Sequence, residues 1–204
     1  VDNIDWWRQP TLTGEHVRLE PLTPGHVAGL HAAGRDPSVW THLSAHWPSD
    51  LAGTSTFVQD HLAAQADGDR LVYAQIEVAT GAVAGVTSFY EIVPAQRALA
   101  IGHTWIGTPW QRTALNTESK LLLLGRAFEQ LAALRVVWHT DIRNERSQRA
   151  IERLGAQREG ILRHHRIRPD GTLRDTVLYS MLADEWPAVR TALRTRLANS
   201  PAPV

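Results

Sequence analysis

Along the chain the apolar positions switch between a period of two and a period near 3.6, and the order of the switches predicts the elements. Val17 and Leu19 alternate with polar neighbours up to Leu22, which predicts a strand over 16–22. Thr23 and Pro24 supply an N-cap and a first helical position for a helix to about Arg35, with Val27, Leu30 and Ala33 inward. Residues 36–51 read as irregular, and 52–66 as a second helix carrying Phe57, Val58 and Leu62. The period falls to two over 71–78, 83–92 and 98–106, and the turns at Thr80-Gly81 and Pro94–Arg97 make these an antiparallel meander.

A helical period returns from Asn116, with Leu121, Leu124, Phe128 and Leu131 on one face. A short strand over 135–142 follows. Then comes a helix over 144–154, capped by Asn144 and closed by Gly155 in a left-handed conformation. Segments 161–167 and 172–181 flank Pro169-Asp170-Gly171, a hairpin signal, and 184–197 is a closing helix. No repeat or linker interrupts this order. It predicts one α+β domain over 12–198, with an N-terminal arm over 1–11 and a frayed tail over 199–204.

Composition narrows the chemistry. The 204 residues contain no cysteine, which excludes thiolate catalysis by the protein and any Cys-based metal centre. No metal site is expected: His42 and His46 share helical spacing, but no HExxH glutamate accompanies them. No apolar run is long enough to span a membrane, and residues 1–5 do not resemble a secretory leader, so a cytoplasmic protein is expected. The net charge of zero argues against a nucleic-acid partner, but it is a cancellation. Residues 1–102 hold 11 acidic and 5 basic side chains, and residues 103–204 hold 10 and 16. The second half therefore calls for an anionic guest.

Two joints carry the candidate chemistry. At Gly107–Glu118 a strand ends in a small, polar loop that opens a long helix, a place where backbone N–H groups and the helix dipole favour phosphate. At Arg143–Ser147 a neighbouring strand enters a second helix. The stretches Trp110–Glu118, Asn144–Ser147 through Leu154-Gly155-Ala156, and Glu159–Arg163 with Tyr179–Leu182 together resemble the GNAT superfamily of acyl-CoA-dependent N-acyltransferases. Within it they resemble the RimJ/RimL-like, ribosomal-protein N-terminal acetyltransferase branch.

The resemblance spans about residues 12–186. It implies a central, mostly antiparallel mixed sheet flanked by helices and splayed between the fourth and fifth predicted strands, 98–106 and 135–142. It further implies transfer of an acetyl group from acetyl-CoA to a primary amine by direct attack, and it allows a homodimer. The implied acetyl-CoA contacts are Trp105, Ile106, Gln111, Arg112, Thr113, Ala114, Leu115, Asn116, Thr117, Asn144 and Ser147. Ser147 matches the serine that the branch uses beside the leaving thiolate. A backbone N–H near Thr104 or Trp105 would hold the oxyanion. His103, Asp141 and Glu159 are the candidates to take the ammonium proton, His103 having the best-matched ordinary pKa. Ala100 and Ile151 stand where many relatives carry an acidic residue and a tyrosine.

Simpler readings stand beside these. Asn144 is also an ordinary N-cap, Ser147 also a first-turn serine, and Arg143, Arg146, Arg149 and Arg153 mostly a solvated face. Trp105, Trp110 and Trp138 are expected in the core, whereas Trp40 and Trp47 are expected around an acceptor pocket. The acidic first half would suit a cationic amine there. A non-catalytic acyl-CoA-binding module and a nucleic-acid binder using the Arg-rich 143–168 segment are the competing readings.

Overall fold

The structure is a computed structural model and describes residues 4–43 and 48–199. Among them are eight strands in one sheet, in the order β1-β2-β3-β4-β5-β6-β8-β7. In chain order the strands are β1 (Leu12–Thr13), β2 (Val17–Pro21), β3 (Arg70–Glu77), β4 (Val83–Val93), β5 (Ala98–Ile106), β6 (Arg135–Asp141), β7 (Gln157–Ile167) and β8 (Leu173–Leu182). Helices α1 (Val27–Ala33) and α2 (Leu51–Ala66) cover one face, while α3 (Ala114–Gly125) and α5 (Trp186–Ala198) cover the other; α4 (Glu145–Glu152) follows β6. Every pairing is antiparallel except that of β5 with β6. The expected α+β architecture is therefore present, with its break between the two expected strands.

Two cores result, one on each face of the sheet. Leu19, Tyr73, Phe89, Ile101 and Val136 meet the inward face of α3, and Val72, Ala74, Val86 and Trp105 meet α1 and α2. The buried apolar stripe of α3 is Leu115, Leu123 and Leu124, continued by Ala127 in the turn that follows. It is rotated from the predicted one, because Leu121 and Phe128 are only half-buried and pack toward α5, where Phe128 stacks on Trp186. The helix then widens into a π-type turn over Arg126–Gln130, closed by the Leu131 N–H on the Arg126 carbonyl at 3.0 Å. Gly155 has φ +93°, the left-handed helix stop that its position predicts.

The described residues before β1, from Ile4 on, are packed against the domain. Trp6 is buried in the core, Gln9 donates to the Val72 carbonyl at 2.7 Å, and Arg126 donates to the Arg8 carbonyl at 2.8 Å. Trp40 is also a core residue. It is 5% exposed, lies against Trp105 with ring centroids 4.9 Å apart, and donates its indole N–H to the Gly34 carbonyl. It therefore does not line an acceptor pocket as expected; burial beneath the sheet removes it from any cleft. Trp47 and His46 lie outside the described residues. No helix among the described residues is long and apolar enough to cross a membrane.

The α3 helix is tied to the sheet edge by one carboxylate. Glu118 is buried and accepts the backbone N–H groups of Glu15 at 2.9 Å, His16 at 2.6 Å and Val17 at 2.8 Å, closing the β1–β2 turn. Replacing Glu118 with Ala strands those donors. Because a hydrogen bond to a charged group contributes ~1.5–3 kcal/mol, we expect a loss of about 3 kcal/mol or more in urea unfolding, and a smaller loss for Glu118→Gln.

Candidate active site

Strands β5 and β6 pair only through Ala98–Arg135, Leu99–Val136 and Ala100–Val137. Beyond those three rungs they part, leaving the facing edges of Ile101–Ile106 and Trp138–Asp141 with unpaired backbone groups. A cleft of about 960 Å³ opens there, walled by both strands, the start of α3 and one face of α4. Because β5 and β6 are parallel, the loops that leave them emerge at the same end, and α3 and α4 both begin at the cleft mouth.

At that mouth Thr113 caps α3, its hydroxyl accepting the Leu115 N–H at 3.3 Å. Arg112, not a glycine, takes the left-handed conformation, with φ +65°. The helix starts at Ala114, two residues earlier than predicted, so Ala114 and Asn116 are helical and carry no unusual φ. Gln111 donates to the Ile106 carbonyl at 2.9 Å and accepts from Arg146 at 2.9 Å, which links the two joints side chain to side chain. Arg112, Arg146, Arg149, Arg153 and Arg196 all line this end. It is a basic mouth with a helix N-terminus in it, suited to phosphate groups.

Of the predicted contacts, Trp105, Ile106, Gln111, Arg112, Thr113, Asn116, Thr117, Asn144 and Ser147 border the cleft. Ala114 and Leu115 do not; Leu115 is 3% exposed and points into the core, so it has only its capped backbone to offer. Asn144 is the N-cap of α4, its side chain accepting the Ser147 N–H at 3.0 Å. The Ser147 hydroxyl has no partner among the described residues. The buried indoles of Trp105 and Trp138 border the cleft with their N–H groups likewise unpartnered.

The three candidate proton acceptors separate clearly. Asp141 accepts from Arg168 at 2.6 and 2.9 Å and from the Arg143 N–H at 2.9 Å. Burial opposes its ionisation, but the Arg168 pair outweighs that and holds its carboxyl below the usual range. Glu159 is off the cleft, paired with Arg135 and Ser180; the Arg135 hydrogen bonds draw its pKa down to about 2. Both carboxylates therefore serve as ion-pair anchors. His103 does face the cleft, on a bulge of β5. The β4 register jumps between Val86–Trp105 and Ser88–Gly102, and His103 sits in the extra length with φ +48°. Burial first, and then the Arg70 guanidinium, push its pKa down to about 3, so it is a neutral imidazole.

Two further features emerge only in three dimensions. Lys120 is 5% exposed, and its ammonium donates to Thr87 Oγ1 at 2.9 Å and Thr104 Oγ1 at 3.0 Å, beneath the bulge and beside the cleft. No carboxylate accompanies it, and burial pushes its pKa down to about 7. Its sequence signal is a lysine four residues after Asn116 and four before Leu124, on the buried stripe. The inner end of the cleft holds Tyr90, whose hydroxyl lies 2.9 Å from His139 Nδ1, with Gly102 directly beneath it. A Cβ on Gly102 would come within 2.7 Å of the Tyr90 ring, so only glycine admits this arrangement. Arg70, Arg166 and Arg174 surround it, and of the first-half carboxylates only Asp60 borders the cleft among the described residues. The expected acidic acceptor end is thus a basic one: most of the acidic excess faces elsewhere.

Residues 16–157 match the acetyltransferase (GNAT) domain family. A Bacillus subtilis (strain 168) protein named "Putative ribosomal N-acetyltransferase YdaF" is 31% identical over 106 residues, 52% of this chain and 57% of that protein's length. The crystal structure of a GCN5-related N-acetyltransferase from Brucella melitensis is 33% identical with a TM-score of 0.89, covering 94% of this chain and 87% of that one. The fold is also shared with RimL, a ribosomal L7/L12 alpha-N-protein acetyltransferase, at 21% identity and a TM-score of 0.73 over 85% and 94% of the two chains.

Lys120 makes stability depend on pH in a stated direction. Between about pH 7 and its ordinary 10.5 the unfolded chain holds a proton on this group that the folded one does not, so stability rises with pH across that window. Lys120→Met removes this slope. Its stability relative to wild type should be highest at pH 6 and decline by roughly 2–3 kcal/mol by pH 9, at about 1.4 kcal/mol per unit of pKa difference. Denaturation series at the two pH values measure it; parallel curves would refute the buried-ammonium picture.

Proposed function

The chain belongs to the GNAT acetyltransferase family, and from that premise we propose that it transfers an acetyl group from acetyl-CoA to a primary amine in a ternary complex. The observation that carries this is the three-rung pairing of β5 with β6. It opens two strand edges to the amides of a pantetheine arm, with a basic helix mouth at one end and a separate acceptor chamber at the other.

The amine nitrogen attacks the thioester carbonyl carbon, forming a C–N bond. The tetrahedral oxyanion then collapses, the C–S bond breaks, one amine proton is given up, and the CoA thiolate takes a proton to leave as the thiol. Backbone N–H groups at the β5 bulge, around Thr104 and Trp105, would hold the oxyanion. The unpartnered Ser147 hydroxyl would donate a hydrogen bond to the departing sulfur. Serine is a far weaker acid than a thiol, which ordinarily ionises near a pH of about 8.5, so Ser147 stabilises the thiolate or relays a proton rather than supplying one outright. His103 is neutral and faces the cleft, but its Nδ1 already lies 3.5 Å from the Arg70 guanidinium and its pKa of about 3 makes it a weak base, so it orients the amine while the proton leaves through water.

The binding-module reading rests on Ala100 and Ile151. Ala100 lies fully buried at the paired base of the splay, where an acidic side chain would have no solvent, and Ile151 is a core residue of α4. Ala100 does not border the cleft, whereas Ile151 does and puts an apolar side chain on the lining, which leaves Ser147 as the hydroxyl on that face of α4. A homodimer is supported by β7, an edge strand exposed along nearly all its length with Ile161, Leu162 and Ile167 bare. Sedimentation at micromolar concentration tests it, and a monomer there rejects it.

Acetyl-CoA should raise the melting temperature by ligand linkage, and thiol release across an amine panel should reveal turnover. Ser147→Ala should slow turnover by roughly tenfold, a hydrogen bond's worth of about 1.4 kcal/mol, with acetyl-CoA affinity mostly retained. Absence of any thermal shift at millimolar acetyl-CoA would overturn the proposal.

A further inference from the structure

The inner end of the cleft has more positive charge than acyl transfer alone requires. Arg166 on β7 and Arg174 on β8 are directly opposed in the strand register, and both border the cleft. Like charges placed opposite one another in a ladder destabilise it. Arg70 reaches the same place from β3, and the fields of all three guanidinium groups fall on the buried Tyr90 hydroxyl.

Carboxylates offset part of this charge, at Arg70 and Arg174, and leave Arg166. Asp141 is held in two hydrogen bonds by Arg168 and stands 4.0 Å from Arg174. Asp69 pairs with Arg70 from the solvent side, and Glu91 lies 3.7 Å from His139 on an exposed stretch. Asp60 is the remaining carboxylate on the lining, beside His61. Arg166 has no ion-pair partner among the described residues. Burial keeps His61, His103 and His139 in their neutral forms, so they can accept or donate hydrogen bonds without adding to the charge.

We propose that this chamber binds the carboxylate of the acceptor, so that the amine acetylated is that of an α-amino acid with an apolar side chain. This deepens the acyl-transfer reading and rests on it. Arg166 and Arg174, with Arg70 opposite, form the carboxylate clamp, guanidinium being the side chain best shaped for that partner. Leu43, Phe57 and Trp105 on the adjoining wall give the side chain an apolar surface. A simple cationic amine would add a further like charge to three guanidinium groups, whereas an amino acid brings its own negative charge. The same positive field favours the uncharged form of the amine, the form that attacks the thioester.

The test uses the full chain saturated with CoA, titrated calorimetrically with N-acetylphenylalanine and with N-acetylphenethylamine, which lacks only the carboxylate. N-acetylphenylalanine should bind at least tenfold more tightly. Arg166→Gln, a change at an exposed position, should abolish that preference without altering the acetyl-CoA thermal shift, and Arg174→Gln serves as the second variant. Equal binding of the two amides, or a preference that survives both substitutions, overturns the proposal. So does tight binding of an acetylated acidic peptide with none of N-acetylphenylalanine, which would assign the clamp to a polypeptide acceptor. Loss of the acetyl-CoA shift in the unaltered protein would instead strike the acyl-transfer reading, and this proposal with it.

Discussion

The site depends on two parallel strands that stay together for only three rungs. Continued pairing of β5 with β6 would satisfy their backbone groups and fill the space between them. Divergence leaves those groups to be satisfied by something else, and a pantetheine arm carries amides able to do so. The parallel direction matters as much as the gap. It sends the chain out of both strands at one end, so that α3 and α4 start side by side and Gln111 can reach Arg146 across the mouth. Antiparallel strands with the same gap would place only one helix N-terminus there. This is the general reason that ligands of open mixed sheets collect beyond the carboxyl ends of parallel strands.

The other side of β5 is distorted as well. Its bulge sets two residues, His103 and Thr104, against the single Thr87 of β4, which increases the local twist and turns His103 toward the cleft. Lys120 bridges Thr87 and Thr104 from beneath, and two positions earlier on α3 Glu118 gathers three N–H groups of the β1–β2 turn. One turn of helix therefore grips the sheet at two distant places through buried charges. Glu118 is well satisfied. Lys120 is not, having two neutral hydroxyls for an ammonium, and burial lowers its pKa.

Periodicity made most of the elements legible, because each amphipathic segment has one face to bury. The ends of α4 could be read from Asn144 and Gly155, whose chemistry is local. Where reading failed, the cause was non-local. The start of α3 moved forward because Arg112, rather than a residue that tolerates left-handed φ more readily, took that conformation and freed Ala114 to be helical. Trp40 looked like a pocket residue because its segment is irregular, yet an irregular segment can lie under a sheet if its indole N–H finds a carbonyl, as it does at Gly34. Nothing local reveals that Asp141 is consumed by Arg168, 27 positions away in sequence. The opposition of Arg166 and Arg174, by contrast, follows from the turn at Asp170-Gly171 and could be counted outward from it.

Charge completes the argument. A neutral chain whose halves carry opposite excess would be expected to fold with the two halves neutralising each other. Here the cleft is an exception to that pairing: positive groups from both halves converge on it, Arg70 from the first and Arg112, Arg146, Arg166 and Arg174 from the second, with Asp60 and Asp141 the only carboxylates on its described lining. Such a concentration is unfavourable for the empty protein and is relieved only by anions. Arg112 and Arg146 border the helix mouth, whereas Arg70, Arg166 and Arg174 act on Tyr90, so a phosphate-bearing guest at the mouth would leave that second group of charges in place. A second anionic group, on the molecule that meets the acyl donor, would suit that distribution of charge.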